Sequence, residues 1–120
     1  MALAASRIIF ETREKIARFL RAEDESDIIF TLNATEAINL ALKGVLKPGD
    51  HVVTTVLEHN SVARPLNRLE REGLIRVTRV GASPEGLIDP ADIRRALTGR
   101  TRLVAVLHGS NVLGSIQPIA

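Results

Sequence analysis

Apolar positions along the chain switch repeatedly between helical and strand-like spacing. Through residues 7–21, Ile8, Ile9, Ile16, Phe19 and Leu20 recur at helical intervals among Glu11, Arg13, Glu14, Lys15 and Arg18, which predicts an amphipathic helix. Residues 27–31 (DIIFT) form a short apolar run of strand length. Helical spacing returns over residues 35–46, with Ala37, Ile38, Ala41, Leu42 and Val45 on one stripe. Lys47-Pro48-Gly49-Asp50 ends that helix, because Pro lacks the N–H a further turn needs and Gly relaxes the backbone. Residues 51–57 (HVVTTVL) are β-branched and predict a buried strand; residues 61–71 predict a helix that stops at Gly73. A weaker strand is expected over residues 74–80 (LIRVTRV), followed by a turn at Ser83-Pro84-Glu85-Gly86. Asp89 then reads as an N-cap with Pro90 in the first helical position, opening a helix that runs to about Leu97 and stops at Gly99. Residues 102–107 (RLVAVL) are expected to form the best-buried strand of all.

Strands and helices that alternate over short connections predict an α/β fold with a mostly parallel sheet. A single partial domain over residues 1–120 is expected. The sequence reaches Gln117-Pro118-Ile119-Ala120 soon after its strongest strand, although parallel sheets are normally covered on both faces. The flank of residues 102–107 is therefore expected to be left uncovered within these residues, and the chain to form a homo-oligomer.

Composition narrows the functional classes. Hydrophobic residues make up 45% and charged ones 25%, a globular balance, but aromatics are only 2%, so the core must be aliphatic. So few rings argue against stacking single-stranded nucleic acid. The 16 basic and 14 acidic residues are interleaved without a basic block, so no nucleic-acid partner is expected. The pI of 9.7 beside a net charge of only +2 follows from the lack of Cys and Tyr to titrate above the His range. Absence of Cys also excludes disulfides and thiolate metal ligands among these residues; no metal site is expected, and a cytoplasmic location is. No apolar stretch has the roughly 20 residues of a membrane span, and residues 1–6 carry no basic start for a signal peptide.

Ligands of open α/β sheets bind where strands exit into helices, and three such loops carry polar or small residues. Leu32-Asn33-Ala34-Thr35-Glu36 offers a helix N-terminus and the Thr35 hydroxyl to a phosphate, or a plain capping box from Asn33 to Glu36. Glu58-His59-Asn60-Ser61 places an imidazole where it stacks on a planar ligand or moves a proton, or else simply caps the next helix. His108-Gly109-Ser110-Asn111-Val112-Leu113-Gly114 suits a ligand contact, or a tight loop in which Asn111 tolerates positive φ. Dinucleotide, P-loop, zincin and nucleophile-elbow motifs are absent. Lys15, Lys43, Lys47, Arg13, Arg64, Arg68, Arg71, Arg94 and Arg95 read as solvated charges. A small non-catalytic α/β module that binds a phosphorylated ligand or a protein partner is the alternative to an enzyme.

Taken in order, these loops resemble the cysteine desulfurase group of the class V aminotransferases. The resemblance is carried by Ile28 through Asn39 (IIFTLNATEAIN), Leu46 through Val53 (LKPGDHVV), Glu58-His59-Asn60-Ser61, and Arg102-Leu103-Val104 through Ser110-Asn111-Val112-Leu113-Gly114 with Pro118-Ile119. It implies a fragment of the large domain that binds pyridoxal 5′-phosphate, with Ala34 and Thr35 holding the phosphate. It further implies His59 stacked on the pyridine ring as the catalytic residue of this segment, and Asn111 beside the ring's phenolic oxygen. The implied parent reaction removes sulfur from L-cysteine or a related amino acid, leaving alanine and an enzyme persulfide for acceptors such as iron–sulfur cluster assembly. Asn33 stands where the group often has Gly, so a turn at positive φ is expected there. The group's Asp on the pyridinium nitrogen, its Lys on the cofactor and its persulfide Cys have no counterpart in residues 1–120. The resemblance therefore implies weak cofactor affinity and no catalysis by these residues alone.

Overall fold

A computed structural model describes residues 2–119. They fall into two compact units divided between Leu32 and Asn33. In the first unit, helix α1 (Ala2–Leu20) ends where Arg21 turns left-handed at φ 56°, and the Ala22 N–H donates back to the Ala17 carbonyl at 2.9 Å. A single 3₁₀ turn, Glu25–Asp27, follows, capped by the Asp24 carboxylate accepting from the Ser26 N–H at 2.7 Å.

The run over residues 27–31 is not a strand. Its backbone enters no ladder of the sheet among the described residues, and Ile29 is 67% exposed. Apolar content and strand length do not suffice, because a strand exists only where a neighbour completes its hydrogen bonds. Arg13 is likewise not a solvated charge. It is half-buried, with its guanidinium 5.6 Å from the centroid of the Phe30 ring, a cation–π contact inside this unit.

The second unit is a three-layer α/β arrangement: α2 (Ala34–Val45), β1 (His51–Thr55), α3 (Asn60–Arg71), β2 (Arg76–Val80), α4 (Pro90–Ala96) and β3 (Thr101–Ala105). All three strands are parallel in the order β2-β1-β3. β1 is central and every one of its residues is buried. Its side chains alternate between two cores. Val52 packs with Leu42 of α2, Leu66 of α3 and Ile75, whereas Val53 packs with Val80, Ile88 and, from α4, Ile93 and Ala96. Helices thus lie on both faces of β1, as a parallel strand requires.

β3, expected to be the best-buried strand, is instead an edge. Its residues alternate between exposed and half-buried, and Val104 is 42% exposed. An open apolar groove of about 330 Å³ runs past Ile88, Ile93, Val104, Val106 and Ile119, so the flank of this strand is uncovered, as its sequence context suggested. Hydrophobicity alone does not decide burial; the number of neighbours does.

Two polar contacts hold the sheet, one buried and one at the surface. At its amino edge His51 bridges both neighbours, Nδ1 to the Thr101 hydroxyl at 2.9 Å and Nε2 to the Thr78 hydroxyl at 2.8 Å. On the α3 side, Glu70 accepts from the Val77 N–H at 3.1 Å and from Arg79 at 2.7 Å. The hydrogen bond from Arg79 holds the Glu70 carboxyl below its usual range, opposed by slight burial. A folded-state value below the unfolded one stabilises above the ordinary carboxylate range and ceases to do so as pH falls through the folded value. For so exposed a pair the contribution is at most about 1 kcal/mol. Urea melts of wild type and Glu70→Gln are expected to differ near neutral pH and to converge in acid; a constant difference would contradict the assignment.

Candidate functional site at the carboxyl edge of the sheet

Local sequence sets the ends of the helices that border the site. The Asn33 side chain accepts from the Glu36 N–H at 2.9 Å, and its carbonyl accepts from the Ala37 N–H, so Asn33 is the N-cap of α2. Asn33 is extended at φ −164°, so no left-handed turn is needed there. Its role is that of a cap, which Asn fills well without any backbone strain. The N–H groups of Ala34 and Thr35 have no protein acceptor among the described residues, as the first turn of a helix dictates.

His59 caps α3. Its Nδ1 accepts from the Ser61 N–H at 3.1 Å and lies 2.8 Å from the Ser61 hydroxyl. A backbone N–H only donates, so Nδ1 is the unprotonated nitrogen and a neutral ring carries its proton on Nε2. The ring itself is exposed. Capping and ligand contact, posed as alternatives by the sequence, are compatible, because the cap uses one ring nitrogen of an exposed residue.

α2 and α3 line a common groove of about 520 Å³, with Thr35, Asn39 and Lys43 from α2 and Asn60, Ser61, Arg64 and Arg68 from α3. α2 leads into the amino end of β1 and α3 leaves its carboxyl end to return to the amino end of the parallel β2, so both helices have their N-termini toward the carboxyl edge of the sheet. Thr35 and the start of α3 are thereby brought together. Ala34 and His59 do not line this groove, and neither does Asn111. It stands exposed on a small hairpin after β3, where Gly109 bridges Ile116 and the buried Ser110 hydroxyl accepts from the N–H groups of Val112 and Leu113. Asn111 is not at positive φ; Gly114, at 72°, takes that position. The hairpin's other anchor is Gln117, 3% exposed, whose side chain accepts from the Ile88 N–H and donates to the Gly86 carbonyl, both at 2.8 Å.

Strand order reverses at β1: the chain passes through α3 to β2 on one side, then through α4 to β3 on the other. The carboxyl ends of β1 and β3 therefore flank a switch point, where open α/β sheets bind ligands. Glu58 spans it. One carboxylate oxygen accepts from the Thr55 hydroxyl and from the Leu107 N–H, both at 2.8 Å. Neither Glu58 nor Gln117 was assigned a role from sequence. A Gln between Ile116 and Pro118 in an apolar stretch was the available signal for a buried polar anchor; nothing local signalled the partner of Glu58. Among the described residues no His, Asp or Glu cluster suits a metal ion, and no helix is long and apolar enough to cross a membrane.

The same arrangement recurs in known proteins. SspA, solved in complex with cysteine, superposes with a TM-score of 0.88 at 36% identity over 98% of this chain and 35% of its own. DndA from Streptomyces lividans superposes at 0.86 with 30% identity, over 99% of this chain and 34% of its own. Cysteine desulfurase IscS from Dictyoglomus turgidum is 39% identical over 115 residues, 92% of this chain, which spans 29% of that relative's length. The aminotransferase class-V family model matches residues 1–120. With the helix caps, the parallel sheet and the switch-point loops in place, the chain belongs to the class V aminotransferase family and is similar to its cysteine desulfurases.

Proposed function

We propose that these residues form part of the cofactor-binding domain of a pyridoxal 5′-phosphate-dependent cysteine desulfurase. The observation that carries this reading is the convergence of the α2 and α3 N-termini with the β1 and β3 exits on one edge of the sheet. The donors there suit the cofactor. Ala34 and Thr35 offer two backbone N–H groups, a hydroxyl and the positive end of the α2 dipole to a phosphate dianion. His59 presents an exposed ring for stacking, with a proton on Nε2, and Asn111 presents an amide donor for the phenolic oxygen. When bound, the cofactor withdraws electrons from the substrate's α-carbon. The whole enzyme's reaction would take sulfur from L-cysteine, leaving alanine and a protein persulfide for delivery to acceptors such as iron–sulfur cluster assembly, in the cytoplasm. Cysteine is supported as substrate class by the ligand of SspA. Self-association is supported by the uncovered flank of β3.

Ala34→Pro tests the phosphate cradle. Residue 34 is the first of its helix and follows an extended residue, a position where proline is welcome and removes only an N–H that the helix does not use. Loss of one charge-assisted hydrogen bond is expected to weaken pyridoxal 5′-phosphate about tenfold or more, with thermal stability unchanged. Unchanged affinity would remove Ala34 from the site. Equal affinity for inorganic phosphate and the cofactor would favour a module for phosphorylated ligands instead.

A further inference from the structure

We propose that Glu58 is a positioning residue that sets the spacing between His59 and the loop bearing Asn111. This inference rests on the cofactor reading above and deepens it. At the switch point the Thr54 hydroxyl of β1 donates to the Ala105 carbonyl of β3 at 3.0 Å, and beyond the strands the Glu58 carboxylate ties the loop after β1 to the loop after β3. The Thr55 hydroxyl accepts from the Leu57 N–H at 3.2 Å and donates to Glu58 Oε1, and the same oxygen accepts from the Leu107 N–H. The first contact holds the loop before His59 in a tight turn. The second fixes the base of the hairpin, where the His108 carbonyl accepts from the Gln117 N–H at 2.7 Å. From His59 the connection thus runs through the Glu58 backbone and one carboxylate oxygen to the Leu107 amide, and from there along His108, Gly109 and Ser110 to Asn111. Both partners donate, so the site requires an acceptor of Glu length, and the amide oxygen of Gln provides one.

The role predicts a selective effect. A ligand that touches the α2 N-terminus alone ignores the spacing of the other two loops, whereas a ligand that spans all three depends on it. In nitrogen–proton NMR titrations of the full chain, Glu58→Ala is expected to weaken pyridoxal 5′-phosphate about tenfold, the equivalent of about 1.4 kcal/mol. Inorganic phosphate is expected to stay within about twofold, and Glu58→Gln to restore the cofactor. A general loss of structure would move both ligands together, and that result would overturn the proposal. Hydrogen exchange supplies the readout that needs no ligand. Protection of the Leu107 amide is expected to fall about tenfold in Glu58→Ala and to return in Glu58→Gln, with the Val52 amide unchanged. Should Glu58→Ala fail to fold, Glu58→Asp keeps the charge but lacks one methylene of reach, and it is expected to lose Leu107 protection where Glu58→Gln keeps it. Leu107 protection that is indifferent to these changes would overturn the positioning role, even if the cofactor binds. Absence of cofactor binding in the wild type, with Leu107 protection following Glu58, would instead overturn the proposed function and leave the tie between the loops standing.

Discussion

Leu66→Ala is expected to cost about 3–5 kcal/mol, the upper range for truncating a fully buried aliphatic side chain. Leu66 is 1% exposed and sits where α3 meets Val52, Ile75 and Leu42, with Ile38, Val62 and Leu69 closing around it. Its neighbours belong to α2, α3, β1 and the residue that enters β2, so no single element can shift to fill the space. A domain of this size has a total stability of the same order, about 5–15 kcal/mol, so the variant is expected to be partly unfolded at room temperature. Urea denaturation followed by circular dichroism measures the loss, and a cost below about 1 kcal/mol would show that α3 is not docked as described. Because His59 caps α3, cofactor affinity is expected to fall in proportion to the folded fraction and no further.

Gln117→Leu is expected to follow, at about 2–4 kcal/mol. The substitution is similar in size but strands the Ile88 N–H and the Gly86 carbonyl, each buried beside it, and an unsatisfied buried backbone group costs about 1–3 kcal/mol. Glu58 fixes the base of the hairpin through the Leu107 N–H, and the Gln117 side chain is its polar link to residues 86–88. Gly86 turns at φ 75° and presses against the hairpin so closely that a Cβ there would lie 2.6 Å from the Leu113 side chain. Losing the Gln117 amide is therefore expected to free residues 109–116, and Asn111 with them. Loss of amide protection at Ile88, together with narrowed lines at Asn111, checks this. A variant as stable as wild type would mean that water replaces the amide without cost.

Both effects concern contacts that no local pattern discloses. The helix boundaries, by contrast, were legible to within a few residues, because caps are made by neighbours in sequence. Asn33 accepts from the Glu36 N–H and Asp89 from the Ala91 N–H, each within three positions. The strands of residues 51–57 and 74–80 were legible from β-branched runs, although pairing trims them to β1 and β2. Residues 27–31 have as apolar a pattern and form no strand, since the pattern cannot supply a ladder partner. Thr35, His59 and Asn111 stood out as polar residues of loops that open helices or follow strands, whereas Ala34 and the individual roles came from the resemblance to the cysteine desulfurases. What they do not reveal is how the loops are held at a common edge.

The order of residues alone determined the alternating α/β elements, their caps and the loops in which ligand chemistry can reside, since each depends on contacts a few positions apart. Only the tertiary structure decided that β1 is central and β3 an edge, that His59 serves its helix with one nitrogen while its ring stays open, and that Glu58 reaches Leu107 across 49 positions. Those outcomes depend on which strands become neighbours, a choice made by burial summed over the whole unit and visible in no single segment of the chain.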